Sequence, residues 1–230
     1  MKSFTSLTDD LVGFGELEIR LWRVEGGHDN FFDFAERRDV LFMQKGRSMV
    51  EAYGRLASIA GNVRNMLEVG VLHGASSAFF HQLFQPSRLV CVDLFGPKPV
   101  LEGYKNRYAP DVIKPHLGID QSDTKRMQQI IESEFSDAID IVVDDASHLY
   151  QPTKATFNVA FPKLRHNGLY VIEDWEHWGD LASRPALVDF ICELVVELGF
   201  GRDVIRDIGF GPCMAWIRRG CAEIPEGWPN

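Results

Sequence analysis

Two hydrophobic periods alternate along this chain, one near 3.6 residues and one near two or fully apolar. Residues 48–61, SMVEAYGRLASIAG, place Met49, Tyr53, Leu56 and Ile59 on one face and predict a helix. NMLEVGV (65–71) is a short apolar run that breaks at glycine and predicts a strand. ASSAFFHQLFQ (75–85) is helical and ends at Pro86. RLVCVDLF (88–95) predicts a second strand, and the weaker VIKPHLGID (112–120) holds a third. DTKRMQQIIESEF is helical, AIDIVVDD a strand, TKATFNVAFPKLR a helix and GLYVIEDW a strand. PALVDFICELVVELGF predicts an amphipathic to fully buried helix. RDVIRDIGF and CMAWIRRG then follow with no room for a helix between them, so they form a hairpin.

Strands alternating with helices predict a doubly wound α/β fold, a mostly parallel seven-stranded sheet with helices on both faces. The terminal hairpin adds an antiparallel strand to it. Residues 1–45 mix aromatics with charge (LWRVEGGHDNFFDFAERRDVLF) and read as an extension packed on the core or a cap over a site. Residues 46–230 form the main domain. The run Glu36-Arg37-Arg38 reads as a solvated face.

Composition narrows the function. The 230 residues are 45% hydrophobic and 25% charged, enough for an ordinary globular core, and the net charge of -9 argues against nucleic-acid binding through a broad basic surface. No apolar run approaches the length of a membrane span, and the first residues lack an apolar signal core, so a cytoplasmic chain off the membrane is expected. Cys91, Cys192, Cys213 and Cys221 show no CxxC spacing; Cys91 and Cys192 lie in apolar runs and read as core residues.

In open parallel sheets ligands bind beyond the carboxyl ends of the strands, so the residues just after each strand carry the chemistry. LEVGVLHGASS has Gly70 and Gly74 for a tight turn, with Glu68 before them. It lacks the GxGxxG of a dinucleotide site, which argues against a dinucleotide-dependent oxidoreductase. An acid there suits a positive amino or sulfonium group better than a pyrophosphate. Asp93 ends the second strand, where an acid is placed to bind ribose hydroxyls. In GIDQSD, Asp120, Gln121 and Ser122 face an adenine edge or cap the next helix, and Ser122 is expected to be that cap.

Asp144 and Asp145 end one strand, in IVVDDASH, and Glu173 and Asp174 end the next, in LYVIEDW. Up to four carboxylates at one sheet edge repel each other, and a cation offsets that. All-oxygen donors favour a hard ion such as Mg²⁺ over zinc. His148 is then placed as a general base beside the metal. Trp175 and Trp178 around His177 wall a pocket or belong to the core. His73 sits in the glycine turn, and His81, on a helix, reads as structural or surface.

The order LEVGVLHGASS, CVDLF, GIDQSD, VVDDASH, GLYVIEDW resembles class I S-adenosylmethionine-dependent methyltransferases, with a Rossmann-like sheet. More narrowly it is similar to the metal-dependent O-methyltransferases of macrolide-sugar tailoring and to the cephalosporin-hydroxylase-like group. The likeness spans residues 64–178 or so. It implies S-adenosylmethionine and Mg²⁺ as cofactors and a small-molecule hydroxyl, of sugar or natural-product type, as acceptor. Glu68, Gly70 and Gly74 would hold the methionine part, Asp93 the ribose, and Asp120 and Gln121 the adenine. Asp145, Glu173 and Asp174 would bind the metal, with His148 as base and Asp144 supporting them or facing the cofactor. Ala146 stands where the family usually has glycine, and Asn167-Gly168 where it has two glycines. The likeness also leaves open a non-catalytic partner subunit of another biosynthetic enzyme. Relatives of this type are often oligomers, which leaves a homo-oligomer open.

Overall fold

A computed structural model describes residues 3–22, 40–176, 185–225 and 227–228. The stretches 23–39 and 177–184 lie outside it, so the Glu36-Arg37-Arg38 run and the expectation for His177 and Trp178 lie outside the described residues.

The main sheet has seven strands. In chain order they are β5 (Asn65–Val69), β6 (Arg88–Asp93), β7 (Ile113–Leu117), β8 (Ile139–Asp144), β9 (Leu164–Glu173), β10 (Ile205–Gly211) and β11 (Met214–Arg219). Their spatial order is β10-β11-β9-β8-β5-β6-β7. Strands β7, β6, β5, β8 and β9 run parallel to one another, and β11 runs antiparallel to both β9 and β10. The fold is the doubly wound, mostly parallel sheet that the pattern predicts. Every residue of β8 is buried, as expected for a central parallel strand covered on both faces.

Six described helices cover the sheet: α1 (Arg47–Ala60), α2 (Ala75–Phe84), α3 (Pro99–Tyr108), α4 (Thr124–Glu134), α5 (Tyr150–Ala160) and α6 (Leu187–Gly199). Alternation along the strands splits the core in two. Ile141, Val143 and Val171 pack with Tyr53 of α1 and Phe79 of α2. Val142, Tyr170 and Ile172 pack with Phe157 of α5 and Phe190 of α6.

Several expectations need correction. Helix α1 buries Met49, Tyr53 and Leu56, but Ile59 is exposed and Ala60 completes the stripe. Ile59 falls one residue short of the position that 3.6-residue spacing turns toward the sheet. Cys91 is buried, whereas Cys192 is exposed on the outer side of α6 with Val195 and Val196. Residues 161–165, expected to continue α5, form a 3-10 turn and the start of β9. Helix α3 carries only Leu101 and Tyr104 as buried positions and shows no clear period.

The N-terminal region contributes a second sheet. Strands β1 (Ser6–Leu7), β2 (Leu11–Phe14), β3 (Leu17–Leu21) and β4 (Phe42–Met43) pair in that order, the last pair parallel. Phe14 packs edge-on against Phe79 of α2, which docks this sheet on the first core layer. Strand β4 delivers the chain straight to Lys45 and then into α1.

Candidate active site

Strand order reverses between β5 and β8: one continues through β6 and the other through β9. The crevice at that switch opens into a cavity of about 540 Å³. Its wall includes Gly70, Asp93, Asp120, Gln121, Asp145, His148 and Asp174, seven of the expected site residues. Glu68, Gly74, Asp144 and Glu173 lie outside that lining.

Gly70 is where the two strand ends meet. Its φ is +89°, and a Cβ there would stand 2.0 Å from the Asp145 carbonyl oxygen. The Asp145 amide in turn donates to the Val69 carbonyl at 2.8 Å. Only a glycine lets the loop after β8 lie this close to the turn after β5.

Asp93 is buried and bonded on all sides. Its Oδ2 accepts from the Val71 amide at 2.8 Å and the Leu72 amide at 3.0 Å. Its Oδ1 accepts from the Phe95 amide at 2.7 Å and from Lys98 Nζ at 2.8 Å. Asp93 therefore shapes the glycine turn as well as lining the cavity. Beside it, His73 is half-buried, and burial with the Lys98 charge pulls its pKa down.

Glu68 sits behind this wall. Its Oε2 accepts from the Ser77 hydroxyl at 2.5 Å, and burial pushes its carboxyl up to about 7. Asp120 is exposed and accepts from the Ser122 amide at 2.8 Å and hydroxyl at 2.7 Å, which hold its pKa down. The cap of α4 is Asp123, not Ser122: the Asp123 side chain accepts from the Arg126 amide at 3.0 Å. Ser122 instead closes the turn onto Asp120, one residue too early to reach the helix amides.

Gln121 is a buried tie. Its Nε2 donates to Asp144 at 3.2 Å and to the Thr156 hydroxyl oxygen at 3.1 Å, and its Oε1 accepts from the Ser147 amide at 2.9 Å. Tyr170 donates to Asp144 Oδ2 at 3.0 Å. Burial pushes the Asp144 carboxyl up to about 7. Asp144 and Gln121 thus brace the loop that carries Asp145 and His148.

Register explains the other acids. Asp144 pairs with Ile172 and Val143 with Val171, so the next residues in step are Asp145 and Glu173, on the face of Tyr53. A lysine enters there. Lys45 Nζ donates to Asp145 Oδ2 at 2.6 Å and to Glu173 Oε2 at 2.5 Å, while the Tyr53 hydroxyl donates to Glu173 Oε1. Burial alone would lower the Lys45 pKa, but the two carboxylates outweigh it and raise it above the ordinary lysine value. Burial and the Asp145 charge push Glu173 upward, and Lys45 and Tyr53 oppose them. Asp174, at φ +49°, leaves the strand alternation and reaches the cavity, and burial raises its pKa.

Asp145, His148 and Asp174 each offer a ligand atom within 4.8 Å of the others, and His148 Nε2 lies 4.0 Å from Asp145 Oδ1. Two carboxylates on one open space fit Mg²⁺, which is commonly held by one or two carboxylates and keeps waters in its other positions. An imidazole is a poorer Mg²⁺ ligand than a carboxylate, so the two acids are the donors that suit the ion. Both Glu173 oxygens are already engaged. Lys45 and Tyr53 are site residues that sequence reasoning missed. The available signal was a lysine at the end of an apolar run, LFMQKG, just before a helix.

Comparison with known proteins follows this geometry. The family model described as a methyltransferase domain matches residues 67–175. The L-olivosyl-oleandolide 3-O-methyltransferase of Streptomyces antibioticus is 27% identical over 126 residues, 52% of this chain and 30% of that protein. The demethylmacrocin O-methyltransferase of Streptomyces fradiae is 51% identical over 35 residues, 15% of this chain and 9% of that protein. The chain thus spans less than a third of the length of these curated relatives. Among solved structures, the MycE methyltransferase of the mycinamycin pathway, in complex with Mg and SAH, superposes with a TM-score of 0.61 at 22% identity, over 78% of this chain and 51% of that one. An O-methyltransferase from Bacillus cereus in complex with SAH gives 0.56 at 19%, over 75% and 80%.

Proposed function

We propose that the chain, whose residues 67–175 match the methyltransferase-domain model, is an S-adenosylmethionine- and Mg²⁺-dependent O-methyltransferase. Its acceptor is a hydroxyl of a small molecule of sugar or natural-product type. The observation that carries this reading is one cavity with Asp93 at the end of β6 and the Asp145, His148 and Asp174 cluster at the ends of β8 and β9. The curated relatives are named for methylating hydroxyls of antibiotic sugars, which supports the same acceptor class.

S-adenosylmethionine, when bound, supplies an electrophilic methyl on a sulfonium. Gly70 lets the loop after β8 close against the turn beside it, Asp93 lies at the edge suited to the cofactor's ribose, and Asp120 and Gln121 lie beyond. Mg²⁺, when held by Asp145 and Asp174, supplies Lewis acidity that lowers the pKa of the acceptor hydroxyl. His148 takes that hydroxyl's proton on a ring nitrogen, a task suited to imidazole near neutral pH. With the proton on His148, the acceptor oxygen would be the nucleophile for the sulfonium methyl, with S-adenosylhomocysteine as the leaving group. Gln121 and Asp144 hold the His148 loop in place, so little of the geometry must be organised at the moment of reaction.

The test is transfer of labelled methyl from S-adenosylmethionine to a panel of deoxysugar glycosides and catechols, with Mg²⁺ and with chelator. Turnover should appear only with Mg²⁺. Asp145→Ala should lower it at least about a hundredfold while leaving S-adenosylhomocysteine affinity near wild type. Full activity in chelator would overturn the metal-dependent reading.

A further inference from the structure

Glu173 stands next to Asp145 in register, yet its carboxylate is closed off. Oε2 accepts from Lys45 Nζ at 2.5 Å and Oε1 from the Tyr53 hydroxyl. Lys45 is itself buried, and its second contact is Asp145 Oδ2 at 2.6 Å. One ammonium therefore occupies the space between two strand-end carboxylates, where all-oxygen donors would otherwise meet a cation.

We infer that Lys45 is a built-in counter-ion that takes Glu173 out of the metal's ligand set, so that the divalent ion is held by Asp145 and Asp174 alone. This rests on the metal-dependent reading above and sharpens it. Lys45 also fixes the Asp145 rotamer through Oδ2 and leaves Oδ1 on the side of His148. The position is reached from outside the nucleotide-binding elements: the link between β4 and α1 carries Lys45, and α1 carries Tyr53. Lys45 is a positioning residue here, acting through Asp145 and Glu173.

The test is Mn²⁺ binding to the full chain, read from the signal of free Mn²⁺ by electron paramagnetic resonance, with no substrate present. Single removal of Lys45 would leave buried acids uncompensated, so the pair is neutralised together, as Lys45→Met/Glu173→Gln and as Lys45→Gln/Glu173→Gln. Either double variant that keeps the wild-type circular dichroism should bind Mn²⁺ within about threefold of wild type, while Asp174→Asn should weaken it more than about tenfold. A double variant as weak as Asp174→Asn would make Glu173 a ligand and overturn the role given to Lys45, with the methyltransferase reading intact. Unchanged affinity in Asp174→Asn would also overturn it. Wild-type protein that binds no Mn²⁺ would remove this inference and the metal-dependent reading together.

Discussion

Asp144 and Glu173 each open an acidic pair at the end of neighbouring parallel strands, and each is buried beneath a tyrosine hydroxyl, yet their surroundings differ in charge. Asp144 lies among neutral donors, Tyr170 at 3.0 Å and Gln121 at 3.2 Å, and burial lifts its carboxyl to about 7. Glu173 meets Tyr53 and the Lys45 ammonium. Neutral donors satisfy a carboxyl without fixing its charge, so Asp144 serves as a brace for the loop beside it. The Lys45 ammonium opposes the burial and the Asp145 charge that push the Glu173 carboxyl up to about 8, so Glu173 and Lys45 set the electrostatics under the cavity floor. The second members of the pairs, Asp145 and Asp174, are the ones that reach the cavity.

The widest separation should come from deleting one partner of each acid. Lys45→Met leaves Glu173 and one oxygen of Asp145 buried without a cation and should cost about 3–5 kcal/mol in urea unfolding. The double variant with Glu173→Gln should recover most of it. Tyr170→Phe removes one neutral donor from Asp144 and should cost about 1–3 kcal/mol by the same measurement. Equal costs for Lys45→Met and Tyr170→Phe would erase the distinction between the two acids.

A smaller effect should appear in the pH dependence of stability. The Asp144 carboxyl is raised in the folded chain to about 7 from an ordinary 3.8. The folded state therefore holds a proton that the unfolded chain has already released across that window. Stability from this group is complete below its unfolded pKa and is lost as pH rises through about 7. Glu68, also raised to about 7, adds the same sign. Asp144→Asn should flatten the fall in melting temperature between about pH 5 and pH 8, leaving the part that belongs to Glu68, Glu173 and Asp174. An unchanged slope would mean that Asp144 is ionised throughout, like a carboxylate held by a cation.

Much of this arrangement was legible in the sequence because it follows from local signals. Apolar runs give the seven strands, and the acids after β6, β8 and β9 lie where ligands bind in parallel sheets. Asn167, in place of a family glycine, adopts φ +64°, as its tolerance of left-handed backbone allows. What escaped depends on contacts between distant segments. Lys45 meets Asp145 and Glu173 across 100 and 128 residues of chain, which no local periodicity reports. Strand β4 is two residues long, too short to leave a pattern. Helix α3 buries two side chains, and its spacing is too sparse to stand out. The cap at Asp123 and the turn at Ser122 use the same residue types one position apart, and only backbone geometry separates them.

The most direct measurement of the central claim is calorimetric titration of S-adenosylhomocysteine into chelator-stripped protein, repeated with Mg²⁺ added. The account predicts binding on the order of micromolar without metal, since Asp93 and Gln121 line the cavity and neither belongs to the Asp145, His148 and Asp174 cluster. No heat of binding in either condition would contradict it and would leave the methyltransferase fold without its cofactor.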